Sequence, residues 1–381
     1  MIRDSAGNLY GTVSTGGDDF SPSGHGAVFK LNKAGKVKAL YELPGGANAA
    51  VPYGGVIRDS AGNLYGTGYA GGSGSQVGCN SPLLESCGAV FSLDSTFTET
   101  ALYSFHGPKQ DDAAGPYAGL IRSKAGNLYG TTLYGPVLPD SNGCGIVVSE
   151  LGCGTVFEID PSVGEKVLYN FSGGSDGGLP YAGLIRDSKG RLYGTTASGG
   201  GGVDVGACDA GCGVVFKVSA VGAETVLYAF TGGADGAIPY ASLIRDSEGN
   251  LYGTTSGGGS ASGSLGCGVV FKLDNTGKET VLYSFKGYPD GCNPYAGLVQ
   301  DSAGNFYGTT AGGGAADYGT VFELDTSGNE TVLYSFTGGA DGANPHAGLV
   351  RDSAGNLYGT TLYGGIATGP SGLGVVFELT P

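Results

Sequence analysis

The ten residues RDSAGNLYGT occur unchanged at Arg3–Thr12, Arg58–Thr67 and Arg351–Thr360, with four looser copies between them. The tyrosine of each LYGT or FYGT core falls at Tyr10, Tyr65, Tyr129, Tyr193, Tyr252, Tyr307 and Tyr358, so seven copies recur at spacings of 51 to 64 residues. A run like VFKL follows every copy, and a run like ETVLYSF follows six of them. A loop such as TGGADGAIPY then leads back to AGLIRDS. A chain written this way has to stack like units, because no single unit can bury its own apolar surface.

Within a unit, four short runs rich in Val, Leu, Ile, Tyr and Phe are bounded by Gly, Asp or Asn, as strands are by turns. We label them A (LIRD), B (NLYGTT), C (VVFKLD) and D (ETVLYSF). No segment keeps a helical period over three turns. The expected fold is all-β, a seven-bladed β-propeller with four-stranded blades, rather than a β-solenoid, whose rungs are shorter. Runs such as TVLYAF and GVVFKV are apolar on both faces, which suits strands covered on both sides. Gly66, Gly194 and Gly253 lie inside strand B, where a close aromatic would explain a missing side chain. A single domain over 1–381 is expected, with blades at approximately 1–43, 53–105, 116–171, 180–230, 239–285, 294–336 and 345–379. The first unit begins on a clipped strand A and the last stops after strand C. The seventh blade should therefore lack its outer strand, unless an upstream segment completes it.

The cycle GLIRDSAGNLYGTT…GVVFELD…ETVLYSFTGG resembles the Gloeo-Verruco tandem repeat of bacterial exported proteins, over nearly the whole chain. Its A–B segment is also similar to that of NHL-type propellers. The resemblance implies an extracellular or cell-surface location and brings no catalytic residues with it.

Gly is the commonest residue, at 78 of 381, yet 40% of residues are hydrophobic and 23 are Tyr, enough for a core. The net charge of -15 repels phosphate backbones and argues against nucleic acid as a partner. No apolar run of about 20 residues is present to span a membrane. MIRDSAGN has neither the basic region nor the apolar run of a signal peptide, so either the protein is cytosolic or the leader is absent from this chain. Eight cysteines stand beside only three histidines, with irregular spacings unlike a zinc site. Disulfides are expected at Cys79–Cys87, Cys144–Cys153 and Cys208–Cys212, each stapling one loop. Cys267, in the B–C loop of blade 5, should meet Cys292 in the next D–A loop.

A residue present in every blade is most simply explained by blade geometry. Asp4, Asp59, Asp187, Asp246, Asp301 and Asp352, with Gly7, Gly62 and Gly355, should make the A–B turn, and Ser123 replaces the Asp in blade 3. Arg3, Arg58, Arg122, Arg186, Arg245 and Arg351, with Gln300 in the seventh place, either pair between blades or form an anion-binding ring.

Chain direction puts the long D–A and B–C loops on one face, where function on a rigid scaffold usually sits. The D–A loops carry Asp112, Asp176, Asp235, Asp290 and Asp341, and after each Pro stand Tyr53, Tyr117, Tyr181, Tyr240, Tyr295 or His346. Rings with carboxylates suit a glycan or other surface polymer. The structural alternative is an Asp-Gly turn before a rigid Pro, with the ring packed between blades. The expected role is a monomeric binding module. A polysaccharide hydrolase or lyase is the second reading, with Asp341 and His346 as its catalytic candidates, and a purely structural surface protein the third. Asp18, Asp19 and His25 in blade 1 form a further carboxylate and imidazole group, and Tyr134 and Asp140 lie in the longest B–C loop. No Gly-x-Ser-x-Gly elbow on a strand–helix turn and no helical His-Glu-x-x-His occurs. No cofactor and no metal site is assigned. Calcium in the acidic loops is the one inorganic option, without an Asp-x-Asp-x-Asp-Gly loop to hold it.

Overall fold

A computed structural model describes residues 1–16, 24–73, 79, 86–108, 112–137, 144, 151–201, 208, 210–259, 266–365 and 372–380. The described residues form no α-helix. Six four-stranded sheets and one three-stranded sheet follow one another along the chain, as the blades of a seven-bladed β-propeller. The seventh, with strands at Val350–Arg351, Leu357–Thr360 and Val376–Leu379, has no fourth strand among the described residues. At the other end, Ile2–Arg3 pairs with Leu9–Tyr10 as strand A of the first blade. The chain divides into two compact units, Met1–Leu192 with Lys217–Thr225, and Tyr193–Phe216 with Val226–Pro381.

Blade 5 shows the local logic. Strands A (Ile244–Arg245), B (Leu251–Thr255), C (Val269–Leu273) and D (Glu279–Ser284) form an antiparallel meander. Asp246 closes the A–B turn: its carboxylate accepts from the Asn250 backbone and amide at 2.9 and 2.7 Å and from the Tyr252 hydroxyl at 3.0 Å. Burial works against the charge, but these hydrogen bonds outweigh it and hold the carboxyl below its ordinary value. Opposite, Gly253 pairs with Phe271 across the B–C ladder. A Cβ on Gly253 would lie 2.8 Å from Phe271 Cζ, so the ring lies on the bare backbone, and Phe91 lies on Gly66 in the same way. Strand D carries a bulge, Val270 facing Tyr283 but Phe271 facing Val281, and four other blades repeat it.

Three contacts recur between successive blades within each unit, with Leu43 at the phenylalanine position after blade 1 and Gln300 at one arginine position. In the second unit Phe230, Phe285 and Phe336, just past strand D, meet Phe271, Phe322 and Phe377 of the following strand C edge-on, at 5.1 to 5.2 Å. In the first unit Phe105 meets Phe157 in the same way. The first Thr after the strand B glycine donates to a carbonyl entering the next blade, as from Thr67 to Ala118 (2.8 Å) and from Thr254 to Ala296 (3.0 Å). The strand A arginines lie over the strand B tyrosine of the blade before, Arg58 on Tyr10, Arg122 on Tyr65, Arg186 on Tyr129, Arg245 on Tyr193 and Arg351 on Tyr307. They act between blades through a cation–π contact rather than an aspartate.

The loop face is built from backbone. The D–A loop pairs with the B–C loop of the blade it enters, Ala49–Ala50 with Ala70–Gly71 and Gly291–Cys292 with Gly312–Gly313. It also pairs with the blade it leaves: Leu179, Ile238 and Asn293 donate N–H to the carbonyls of Cys153, Cys212 and Cys267 at 2.8, 2.8 and 2.9 Å. These three residues, with Val51 and Asn344, precede the loop proline and hold φ between 51° and 57°. That conformation is costly for Val, Leu and Ile and tolerable for Asn. All four disulfides form as expected, Cys79–Cys87, Cys144–Cys153, Cys208–Cys212 and Cys267–Cys292. Cys87, Cys153, Cys212 and Cys267 occupy one structural position, the B–C residue whose carbonyl receives the D–A loop.

Two substitutions test this account by urea denaturation. Gly253→Ala places a methyl against Phe271 and Leu243, both fully packed, and should cost about 1–3 kcal/mol. Ile238→Asn should stabilise by about 1 kcal/mol, because Asn293 and Asn344 hold the same corner and also donate to the carbonyls of Ser256 and Ala311.

Candidate functional site

The X-Pro-Tyr corners determine where the rings go. With the residue before proline left-handed and proline fixing the next φ, the following side chain is presented on the loop face at the same place in each blade. In the first unit Tyr53 stacks on Tyr117 with centroids 4.7 Å apart, and Tyr117 meets Tyr181 edge-on at 5.2 Å. Tyr69 closes the group at 5.4 Å from Tyr53 and 6.2 Å from Tyr117. Burial, and then neighbouring Tyr134, Tyr53 and Tyr181, push the Tyr69 hydroxyl well above its ordinary value. Tyr53 is 48% exposed. In the second unit Tyr240 lies 5.4 Å from Tyr295, and Tyr295 stacks on His346 at 4.6 Å with planes 22° apart.

Tyr295 and exposed His346 line a cleft of about 440 Å³ together with Cys292, Asn293, Ala311, Gly312, Asp317 and Asn344. The other polar side chains here are Asn293, Asn344 and Asp317. Asn293 and Asn344 spend their amide N–H on the backbone carbonyls of Ser256 and Ala311, at 2.8 and 2.7 Å. Asp317 receives the Gly313 N–H on one oxygen at 2.8 Å. No Lys or Arg lines the cleft. The Cys267–Cys292 disulfide fixes its edge.

The loop aspartates are placed elsewhere. Asp112, Asp176, Asp235, Asp290 and Asp341 each accept from the strand D tyrosine that precedes them, Tyr103, Tyr169, Tyr228, Tyr283 and Tyr334, at 2.9 to 3.1 Å. Each also accepts a backbone N–H of its own loop, from His106, Ser172, Thr231, Lys286 or Thr337. They tie the loop to strand D and stand apart from the rings. Asp341 also takes the Thr337 hydroxyl at 2.5 Å, and no hydrogen bond or ion pair joins it to His346. Hydrogen bonds from Thr337 and Tyr334 overcome burial and hold its carboxyl below the usual range.

Asp18, Asp19 and Asp140 lie outside the described residues. The His25 carbonyl accepts the Val51 N–H at 2.7 Å, and Tyr134 pairs with Ala114. Among the described residues no group of three or more His, Cys, Asp or Glu side chains is placed to hold a metal ion. Sequence reasoning missed Tyr69, Asp317 and the two asparagines. Tyr69 sits in a loop without a repeated motif, and each asparagine stands before the loop proline, a place held by Val, Gly, Leu or Ile in other blades.

Among solved structures, a putative 6-phosphogluconolactonase from Bacteroides uniformis matches with a TM-score of 0.55 and 14% identity, over 98% of this chain and 96% of that one. A puromycin hydrolase matches with a TM-score of 0.58 and 10% identity, over 98% of this chain and 50% of that one. Likeness at such identities speaks to the fold, which hosts many chemistries. No curated protein matches the chain. The Gloeobacter/Verrucomicrobia repeat matches at residues 1–203, 83–264 and 260–381, and the chain belongs to that family.

Proposed function

We propose that the protein is an exported binding module that takes a neutral glycan at the Tyr295–His346 cleft of the second unit, with the Tyr53–Tyr117–Tyr181 rings of the first unit as a separate site. The observation that carries this is the stacked pair inside a cleft that also holds the Asp317 carboxylate and the Asn293 and Asn344 amides. Sugar rings present C–H faces to aromatics and hydroxyl donors to carboxylate and amide oxygens. The absence of a lining cation, with a net charge of -15, disfavours uronate or sulfated polymers. Four disulfides support an extracellular or cell-surface location.

The polysaccharide-cleaving alternative has less behind it. Asp341 is occupied by Tyr334 and Thr337, and it does not line the cleft that holds His346.

A panel of neutral and acidic polysaccharides, read for both retention and new reducing ends, tests the reading. A neutral polymer should be retained without cleavage, and Tyr295→Ala should weaken retention at least about fivefold, the worth of one aromatic contact. Tyr334→Phe, outside the cleft, should leave it unchanged. Retention of acidic polymers alone, or binding indifferent to Tyr295→Ala, would refute the assignment. Release of reducing ends would move the protein to the enzyme class.

A further inference from the structure

Strand D carries a glutamate as its first or second residue in blades 2 to 6: Glu99, Glu165, Glu224, Glu279 and Glu330. This residue reaches back towards the loop of the preceding blade. The first interface shows what it does when the loop has no aspartate. There Glu99 accepts the Tyr41 hydroxyl at 2.8 Å on one oxygen and the Ala49 N–H at 3.3 Å on the other. At the next four interfaces Asp112, Asp176, Asp235 and Asp290 hold the corresponding tyrosine instead, each with further donors of its own loop. The glutamate is displaced from those donors. Its Oε1 is buried without a hydrogen-bond partner in Glu165, Glu224, Glu279 and Glu330 alike.

A buried carboxylate oxygen beside a second carboxylate is the arrangement in which one of the two keeps a proton. The aspartate accepts several hydrogen bonds and is the better seat for the charge, so the glutamate is the seat for the proton. We propose that these four pairs are acid-closed latches between blades: each glutamate holds a proton against the neighbouring aspartate, and its loss to solvent sets two carboxylates against each other and loosens the D–A loop above.

The surroundings contain little to offset that repulsion. Glu165 faces Asp112 and Tyr103, and Glu279 faces Asp235 and Tyr228. Glu224 faces Asp176, Tyr169 and Lys217, and Glu330 faces Asp290, Tyr283 and Lys286. His106 lies 3.1 Å from Asp112 on the loop side of the first pair. Burial first, and then the aspartate, push all four glutamates up to about 7. A carboxyl raised on folding contributes stability that is complete below its unfolded value and lost as pH rises through its folded one. The window is therefore from about 4.5 to about 7.

Calorimetry of the intact chain between pH 5.5 and 8.5 tests the latch. The melting temperature should fall by about 5 °C or more across that range. The quadruple variant Glu165→Gln, Glu224→Gln, Glu279→Gln and Glu330→Gln should lose most of this slope and melt near the acid value throughout, because glutamine imitates the protonated acid. His106 is unchanged in it, so any part due to that imidazole stays. A wild-type melting temperature that is flat or rises with pH overturns the proposal, as does a quadruple variant that keeps the slope. If the quadruple variant does not fold, Glu279→Gln and Glu330→Gln singly should each remove about a quarter of the slope, and no change in either is a refutation. Calcium chloride at pH 8.5 should leave the wild type unchanged. Restoration of the acid melting temperature by calcium would mean that the pairs hold a cation, and would overturn the proton latch.

Discussion

The contact on which the structure depends is the aromatic step from one blade to the next. A phenylalanine just past strand D meets the phenylalanine of the following strand C, and that second ring lies on the strand B glycine of its own blade. A four-stranded meander has two faces to cover, and within each unit such a ring covers the next blade, as at Phe105–Phe157, Phe230–Phe271, Phe285–Phe322 and Phe336–Phe377. The rings at the centre, Phe105, Phe157, Phe230, Phe271, Phe285 and Phe322, are fully buried. Both the glycine and the phenylalanine are needed, because a Cβ at Gly253 and the Phe271 ring cannot share the same space. This explains why the repeated motif tolerates changes in its turn, as at Ser123, but keeps LYGT or FYGT and VF in each copy.

With the blades joined this way, the loops of one face are held from both sides. Within each unit the D–A loops hydrogen bond to the B–C loop they leave and the one they enter, at the cost of left-handed residues that only an over-determined backbone keeps in place. The cysteines reinforce the point where that load arrives. The result is a set of corners that present a ring after every proline. The rings are therefore positioned by backbone geometry, while the aspartates beside them in sequence are spent on holding the corner.

That division was half visible beforehand. Asp176 and Tyr181, or Asp290 and Tyr295, are neighbours in one loop, so the sequence presents them as one binding set. In space the tyrosine joins the rings of other blades, and the aspartate turns back to strand D. Tyr283, which captures Asp290, is seven residues away inside a strand, where its hydroxyl carries no signal of that use. The arginines teach the same lesson: their recurrence was plain, but their partner, a tyrosine in the blade before, lies more than forty residues earlier.

By itself the sequence determined the blade number, the order of strands, the turn chemistry of RDSAGN and the pairing of the cysteines. These follow from periodicity or from residues close along the chain, where the constraint is local, except Cys267–Cys292, 25 residues apart, which follows from both loops lying on one face. Only the tertiary structure decided which polar groups share a surface. It separated the loop aspartates from the rings, brought Asn293, Asn344 and Asp317 to the Tyr295–His346 cleft, and set each strand D glutamate against an aspartate of the blade before. Those contacts join different repeats, and a repeated sequence does not record which copy faces which until the blades are stacked.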